Sequence, residues 1–141
     1  MTAFAHKYRL RVYLDAVDED GNVYDAIKPI NEEVTVEMET SRHVRVQENN
    51  VALSAAIATG AVADGLTVPS LVAVISDQPI FVDLNNLGTA TANQPKANLV
   101  IVARFDGGDC QVDSVDLLND AAAAANVNDA NVQIVSAGNN T

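Results

Sequence analysis

The sequence predicts an all-β protein: a single-domain antiparallel β-sandwich over residues 1–141, jelly-roll or immunoglobulin-like, with about nine short strands. Three observations predict it. Apolar residues alternate with polar ones at period two along most of the chain, which places them on one face of an extended strand. The alternating runs are separated by turn residues such as Asp-Gly, Asn-Asn and Gly-Gly. The chain has three Phe, three Tyr and no Trp, so its core must be built from Val, Leu, Ile and Ala.

The first strand puts Tyr8, Leu10, Val12, Leu14 and Ala16 on one face, and Lys7, Arg9, Arg11, Tyr13 and Asp15 on the other. Asp18-Glu19-Asp20-Gly21-Asn22 follows with the chemistry of a hairpin turn. Val34, Val36 and Met38 then alternate with Glu33, Thr35, Glu37 and Glu39, and Val44 and Val46 face inward from the next run. Val51, Leu53, Ala55 and Ile57 continue the alternation between Asn49-Asn50 and Thr59-Gly60, and a strand is expected there over a competing helix. The segment Leu71–Asn86, LVAVISDQPIFVDLNN, joins an apolar run to an alternating one. A run without polar alternates suits a strand covered on both faces, and Ser76-Asp77-Gln78-Pro79 reads as a turn or sheet-changing corner. Leu99–Phe105 is closed by Asp106-Gly107-Gly108-Asp109, Val112–Leu117 alternates, and Asn131–Ser136 is the last clear strand. One short helix is expected in Leu117–Val127, where five consecutive alanines favour helix over strand.

The charge is −11, from 19 acidic and 8 basic residues, which repels polyphosphate and anionic lipid and argues against nucleic acid or a membrane surface as partner. The basic residues in MTAFAHKYRLRVYL interrupt any secretory signal, and the uncharged stretch 49–63 is too short and polar to span a bilayer. A soluble protein made in a cytoplasm is expected. A single cysteine, Cys110, excludes an internal disulfide and a thiolate-rich zinc site.

No enzyme signature or cofactor motif is present: G-x-S-x-G, the P-loop and G-x-G-x-x-G are all missing. Asp18-Glu19-Asp20-Gly21 has the oxygen donors of a calcium loop, but an EF-hand register would place Ala16 and Ile27 at two anchoring ligands. An acidic hairpin tip is the better reading, a weak irregular calcium site the alternative. His6 and His43 form no paired ligand spacing and fall on polar faces. Cys110 stands among Asp106, Asp109 and Asp113, which oppose a reactive thiolate. Asn139-Asn140-Thr141 matches a glycosylation acceptor, a chance match in a chain without an export signal.

The candidate interface is basic. Lys7, Arg9 and Arg11 project from one face of one strand at ~6–7 Å spacing, in a chain whose other basic residues are dispersed. They either cross-pair with Glu33, Glu37 and Glu39 of a neighbouring strand, or meet an acidic surface on another copy or another protein.

In HKYRLRVYLDAVDEDGNVYD, LVAVISDQPIFVDLNN and LVIVARFDGGD the chain resembles the small all-β virion proteins of tailed bacteriophages. The resemblance lies in an apolar strand, a Ser-Asp-Gln-Pro link, a strand closing on Asp-Leu-Asn and a filling of Ala, Asn, Thr and Val. It implies a capsid cement or decoration protein, assembled as symmetric homo-oligomers on a major capsid protein in the virion, without catalysis, metal or cofactor. A tail, baseplate or head–tail connector component is the alternative within that class. From another class stand a ligand- or carbohydrate-binding β-sandwich module, weakened by the scarcity of aromatic rings, and a hydrolase with a site dispersed over loops.

Overall fold

The computed structural model describes residues 6–36, 38–46, 53–56, 58–59, 62–63, 68–85, 94–119 and 129–139, and every strand pairing in it is antiparallel. β1 (His6–Val17) and β2 (Val23–Val36) form a two-stranded hairpin. Its turn has a physical cause in Asp18 and Gly21. The Asp18 carbonyl accepts the Gly21 N–H at 3.0 Å, and Gly21 holds φ +84°, a region open to glycine. Asp18 Oδ1 also accepts the N–H groups of Asp20 and Asn22 at 3.0 and 2.8 Å. Further down, the register passes from Val12 opposite Ile30 to Leu14 opposite Ile27, so Lys28 and Pro29 oppose Tyr13 alone. Pro29 occupies this bulge, where its missing N–H removes no ladder bond.

β3 (Met38–Val46), β4 (Leu53–Ala56), β7 (Val68–Leu84), β8 (Lys96–Ala103), β9 (Ser114–Leu118) and β10 (Ala130–Asn139) form the main sheet in the order β3-β10-β7-β9-β4, with β8 on β7. β5 (Ala58–Thr59) and β6 (Val62–Ala63) pair as a separate two-residue hairpin. Counting strands of five residues or more leaves seven, two in the hairpin and five in the main sheet, in place of the nine short strands expected. Two expected strands on either side of Ser-Asp-Gln-Pro are one, β7, of 17 residues. No helix occurs among the described residues. Leu117 and Leu118 belong to β9, where they pair with Val82 and Phe81, and the alanine-rich 120–128 lies outside the described residues.

The main sheet buries apolar residues on both faces. Val72, Val74, Ile80, Val82, Val115, Leu117, Val132 and Ile134 form the larger cluster. On the opposite face, Leu71 and Ala137 pack against Val34 and Val36 from the base of the hairpin, with Tyr8, Ile101 and Ala103 around them. The two sheets thus meet as a sandwich, with the hairpin contributing only its base to the contact. The period-two reading of Val34, Val36 and Val46 as inward holds, since all three are buried.

Ser76–Pro79 is neither the turn nor the change of sheet expected from the sequence, but a bulge inside β7, both halves of which stay in the main sheet. Ile75 pairs with Leu99 and Ile80 with Ala97, so four residues of β7 oppose Asn98 alone. β10 pairs with β7 only up to Ser76, and β9 takes over from Phe81. Phe81 pairs with Lys96 of β8 on one side and Leu118 of β9 on the other, so β9 occupies the side that β10 leaves. The ammonium of Lys96 lies 5.1 Å from the Phe81 ring centroid, a cation–π contact that secures the new register. Past the turn, the Asn119 side-chain amide donates to the Val46 carbonyl at 3.2 Å, tying the end of β9 to the end of β3.

At the other end of β7 a second irregularity brings backbones together. Leu71 pairs with Ala137 and Pro69 with Gly138, leaving Ser70 as the extra residue. A Cβ on Gly138 would stand 2.1 Å from the Val68 carbonyl oxygen, so only glycine fits. The loop after β8 clamps the same place: Arg104 N–H donates to the Ser70 carbonyl at 2.8 Å and Cys110 N–H to the Pro69 carbonyl at 2.7 Å.

Candidate functional site

The basic stripe lies on β1 as the alternation requires, and two of its members are engaged within the hairpin. Arg9 stands opposite Glu33 and donates from Nε and Nη2 to Glu33 Oε1, at 2.9 and 2.5 Å. Lys7 Nζ lies 3.8 Å from Glu33 Oε2. These cations, with Arg11 contributing, hold the Glu33 carboxyl below the usual carboxylate range, the Arg9 hydrogen bonds being the largest cause. Arg11 stands opposite Asn31 and is exposed. The cross-strand pairing therefore involves Glu33. Glu39 instead accepts a hydrogen bond from the Tyr8 hydroxyl, and Glu37 lies outside the described residues. Burial first, and Glu39 second, push the Tyr8 hydroxyl up to about 12.

The other face of the arm corrects the expectation that its apolar residues turn inward. Tyr8 and Leu10 are partly covered at the base, but Leu14 is 59% exposed, and Val12, Ile27 and Ile30 are also exposed. Of the eleven large apolar residues exposed among the described residues, eight fall between Val12 and Ile30. All three tyrosines of the chain, Tyr8, Tyr13 and Tyr24, lie in the hairpin, and the last two are exposed. Tyrosine is enriched at protein interfaces because its ring is apolar and its hydroxyl wet. That clustering is the signal in the sequence that points to this surface.

The remaining three exposed large apolar residues, Ile75, Leu99 and Phe105, belong to the main sheet and the loop after β8. Ile75 and Leu99 are directly opposed across β7 and β8. They continue the face that Leu71, Ile101 and Ala137 present to the hairpin base. A groove of about 250 Å³ runs there between Tyr8, Leu10 and Val34 of the hairpin and Leu71, Ala73, Ile75, Ile101 and Phe105.

Beyond Ile75 the same face opens into a more polar cleft of about 510 Å³, lined by His43, Arg45, Asp77, Asn131 and Gln133. Its polar groups bond largely to protein: Asp77 to Asn131, Arg45 to Asp129, and Gln133 Nε2 to Ser41 Oγ at 2.9 Å. His43 is exposed, as its polar-face position implies, and the His6 side chain lies outside the described ones.

Asp18 accepts backbone N–H bonds and its carboxyl is held below the ordinary range by them, that of Asn22 first. Cys110 is half-buried and burial pushes its thiol up, the opposite of nucleophile activation. Arg104 bonds Asp106 through Nε and Nη2 and the Asp109 carbonyl through Nη1, organising the Asp-Gly-Gly-Asp turn. Among the described residues no three His, Cys, Asp or Glu side chains gather as a metal site, and no helix is long and apolar enough to cross a membrane. Comparison of the chain with protein-family models, with curated proteins and with solved structures found no match.

Proposed function

We propose that the chain is a non-enzymatic structural protein of a tailed-phage virion. In this reading it is a cement or decoration protein that binds and stabilises the assembled capsid through symmetric oligomer contacts. The observation that carries an assembly role is the hairpin arm. Its outer half presents Val12, Leu14, Ile27 and Ile30 to water on a ribbon of two strands. A two-stranded hairpin is marginal in isolation, and a contiguous exposed apolar patch marks a surface built to be covered. Arg11, exposed on the ribbon's other face, supplies a charge for an acidic partner. The sequence resemblance supplies the virion setting, in which self-association and a major capsid protein are the partners and no cofactor is needed. A tail, baseplate or connector protein would use the same arm in the same way.

The polar cleft beside His43 is what favours a ligand-binding module as the second reading. Its polar groups are largely engaged with other protein groups, and no Phe, Tyr or Trp on which a sugar would stack is among the described residues that line it. Particles assembled without the protein distinguish the readings. They should form and then lose heat or pressure resistance; particles of unchanged resistance would remove the cement role.

A further inference from the structure

We infer that the outer half of the hairpin arm is covered by a second copy of this chain, lying on that copy's sheet face at Ile75 and Leu99. This deepens the assembly reading and rests on it. The chain already makes one contact of this kind with itself. At the base of the hairpin, Val34 and Val36 lie on Leu71 and Ala137, burying all four. Each surface then continues past that contact uncovered. Past the exposed Glu32, which stands opposite Leu10 on this face, the hairpin runs on through Leu14 and Ile27, 59% and 48% exposed, and the sheet runs on through Ile75 and Leu99, 44% and 56% exposed. The two bare patches are extensions of the two sides of one existing interface, so the same side-chain chemistry that packs the base suits the outer half.

Size decides how the copies are arranged. From Val12 to the turn the arm is ~20 Å long and, with side chains, ~10 Å wide. One arm laid on one sheet buries on the order of 500 Å² over both surfaces, too little for a stable pair. Two copies exchanging arms about a two-fold axis double it to about 1,000 Å², where specific interfaces begin.

The test uses the full chain with Cys110→Ser, to leave no native thiol, and two single-cysteine variants, Leu14→Cys and Leu99→Cys. Both new positions are exposed, so folding is undisturbed. Mild oxidation of the mixed variants should give a disulfide-linked heterodimer in at least about tenfold excess over either variant oxidised alone. Leu14→Asp should weaken self-association in sedimentation by at least about tenfold while leaving the melting temperature of the dilute, dissociated chain unchanged, because it removes a buried apolar contact only in the pair. A chain that sediments as a monomer, or that links with no preference for the mixed pair, would overturn the inference. Failure here and failure of the cement reading are separable. A monomer that still protects particles ends the exchange and keeps the cement role; an arm-linked dimer without effect on particles does the reverse.

Discussion

Asp77 holds Asn131 twice. Its carboxylate accepts the Asn131 backbone N–H at 3.0 Å and the side-chain amide at 3.1 Å. The bond fastens the bulge at Ser76–Pro79 to the start of β10, where β10 parts from β7. Asp77→Ala leaves both donors to water at an exposed position, and should lower the unfolding free energy by about 1–2 kcal/mol. Chemical denaturation checks this; a change within ~0.3 kcal/mol would mean the bulge is held by its backbone alone.

Gly138 and Gly108 should differ in their tolerance of alanine. At Gly138 the new Cβ meets the Val68 carbonyl oxygen at 2.1 Å and the Pro69 Cα at 2.8 Å, both backbone atoms in a paired strand. Gly138→Ala should cost about 3 kcal/mol or more, since β10 must move away from β7. At Gly108 the nearest atoms are the end of the flexible Arg104 side chain, which can swing aside at the expense of its exposed bonds to Asp106 and Asp109, so Gly108→Ala should cost much less than Gly138→Ala. Thermal melts of the two variants give the comparison.

The base of the hairpin should weaken in strong alkali. Tyr8 ionises at about 12 in the fold, through burial and the Glu39 hydrogen bond, against ~10 in an unfolded chain. The fold therefore favours the neutral phenol. The stabilisation is complete below pH ~10 and is lost as pH rises through about 12. Tyr8→Phe should abolish that part of the pH dependence, and should remove a late-titrating component from the tyrosinate absorbance of the wild type.

The hairpin tip has the opposite sign. Asp18 is ionised more readily in the fold than in an unfolded chain, so its contribution is present above the ordinary carboxylate range and is lost as pH falls through its lowered value. Asp18→Asn should make the order of the tip, read as amide exchange at Asp20 and Asn22, insensitive to acid. Retained acid sensitivity in the variant would assign it to another group.

Charge reversal separates the two roles of the basic stripe. Arg9 is bonded to Glu33 on an exposed ribbon, so Arg9→Glu should cost little stability, restored by adding Glu33→Arg. Arg11→Glu removes a charge that faces Asn31 and should lower oligomer or particle association more than it lowers the melting temperature. Equal losses of stability and association would make Arg11 an internal structural group.

Much of this fold is legible in period two and turn chemistry, because both are local. The Asp18–Gly21 turn and the inward Val34 and Val36 follow from neighbouring residues. Three features do not. β9 alternates Ser114 and Asp116 with Val115 and Leu117 like a half-exposed strand, yet all four are buried, because the sheet is covered on both sides there. Leu117 and Leu118 read as the start of a helix, and cross-strand pairing with Val82 and Phe81 overrides that propensity. The arm is the largest discrepancy. Val12 and Leu14 have the alternation of a core-facing strand, and alternation does not say whether the covering surface belongs to the same chain.

The most direct measurement is the heat resistance of particles carrying the wild-type chain, particles carrying Val12→Ser with Leu14→Ser, and particles lacking the protein. The substitutions strip the arm's apolar face without touching either core cluster. All three should assemble, and both the variant and the deletion should lose integrity at a lower temperature than the wild type. Equal resistance in all three would contradict the proposed function.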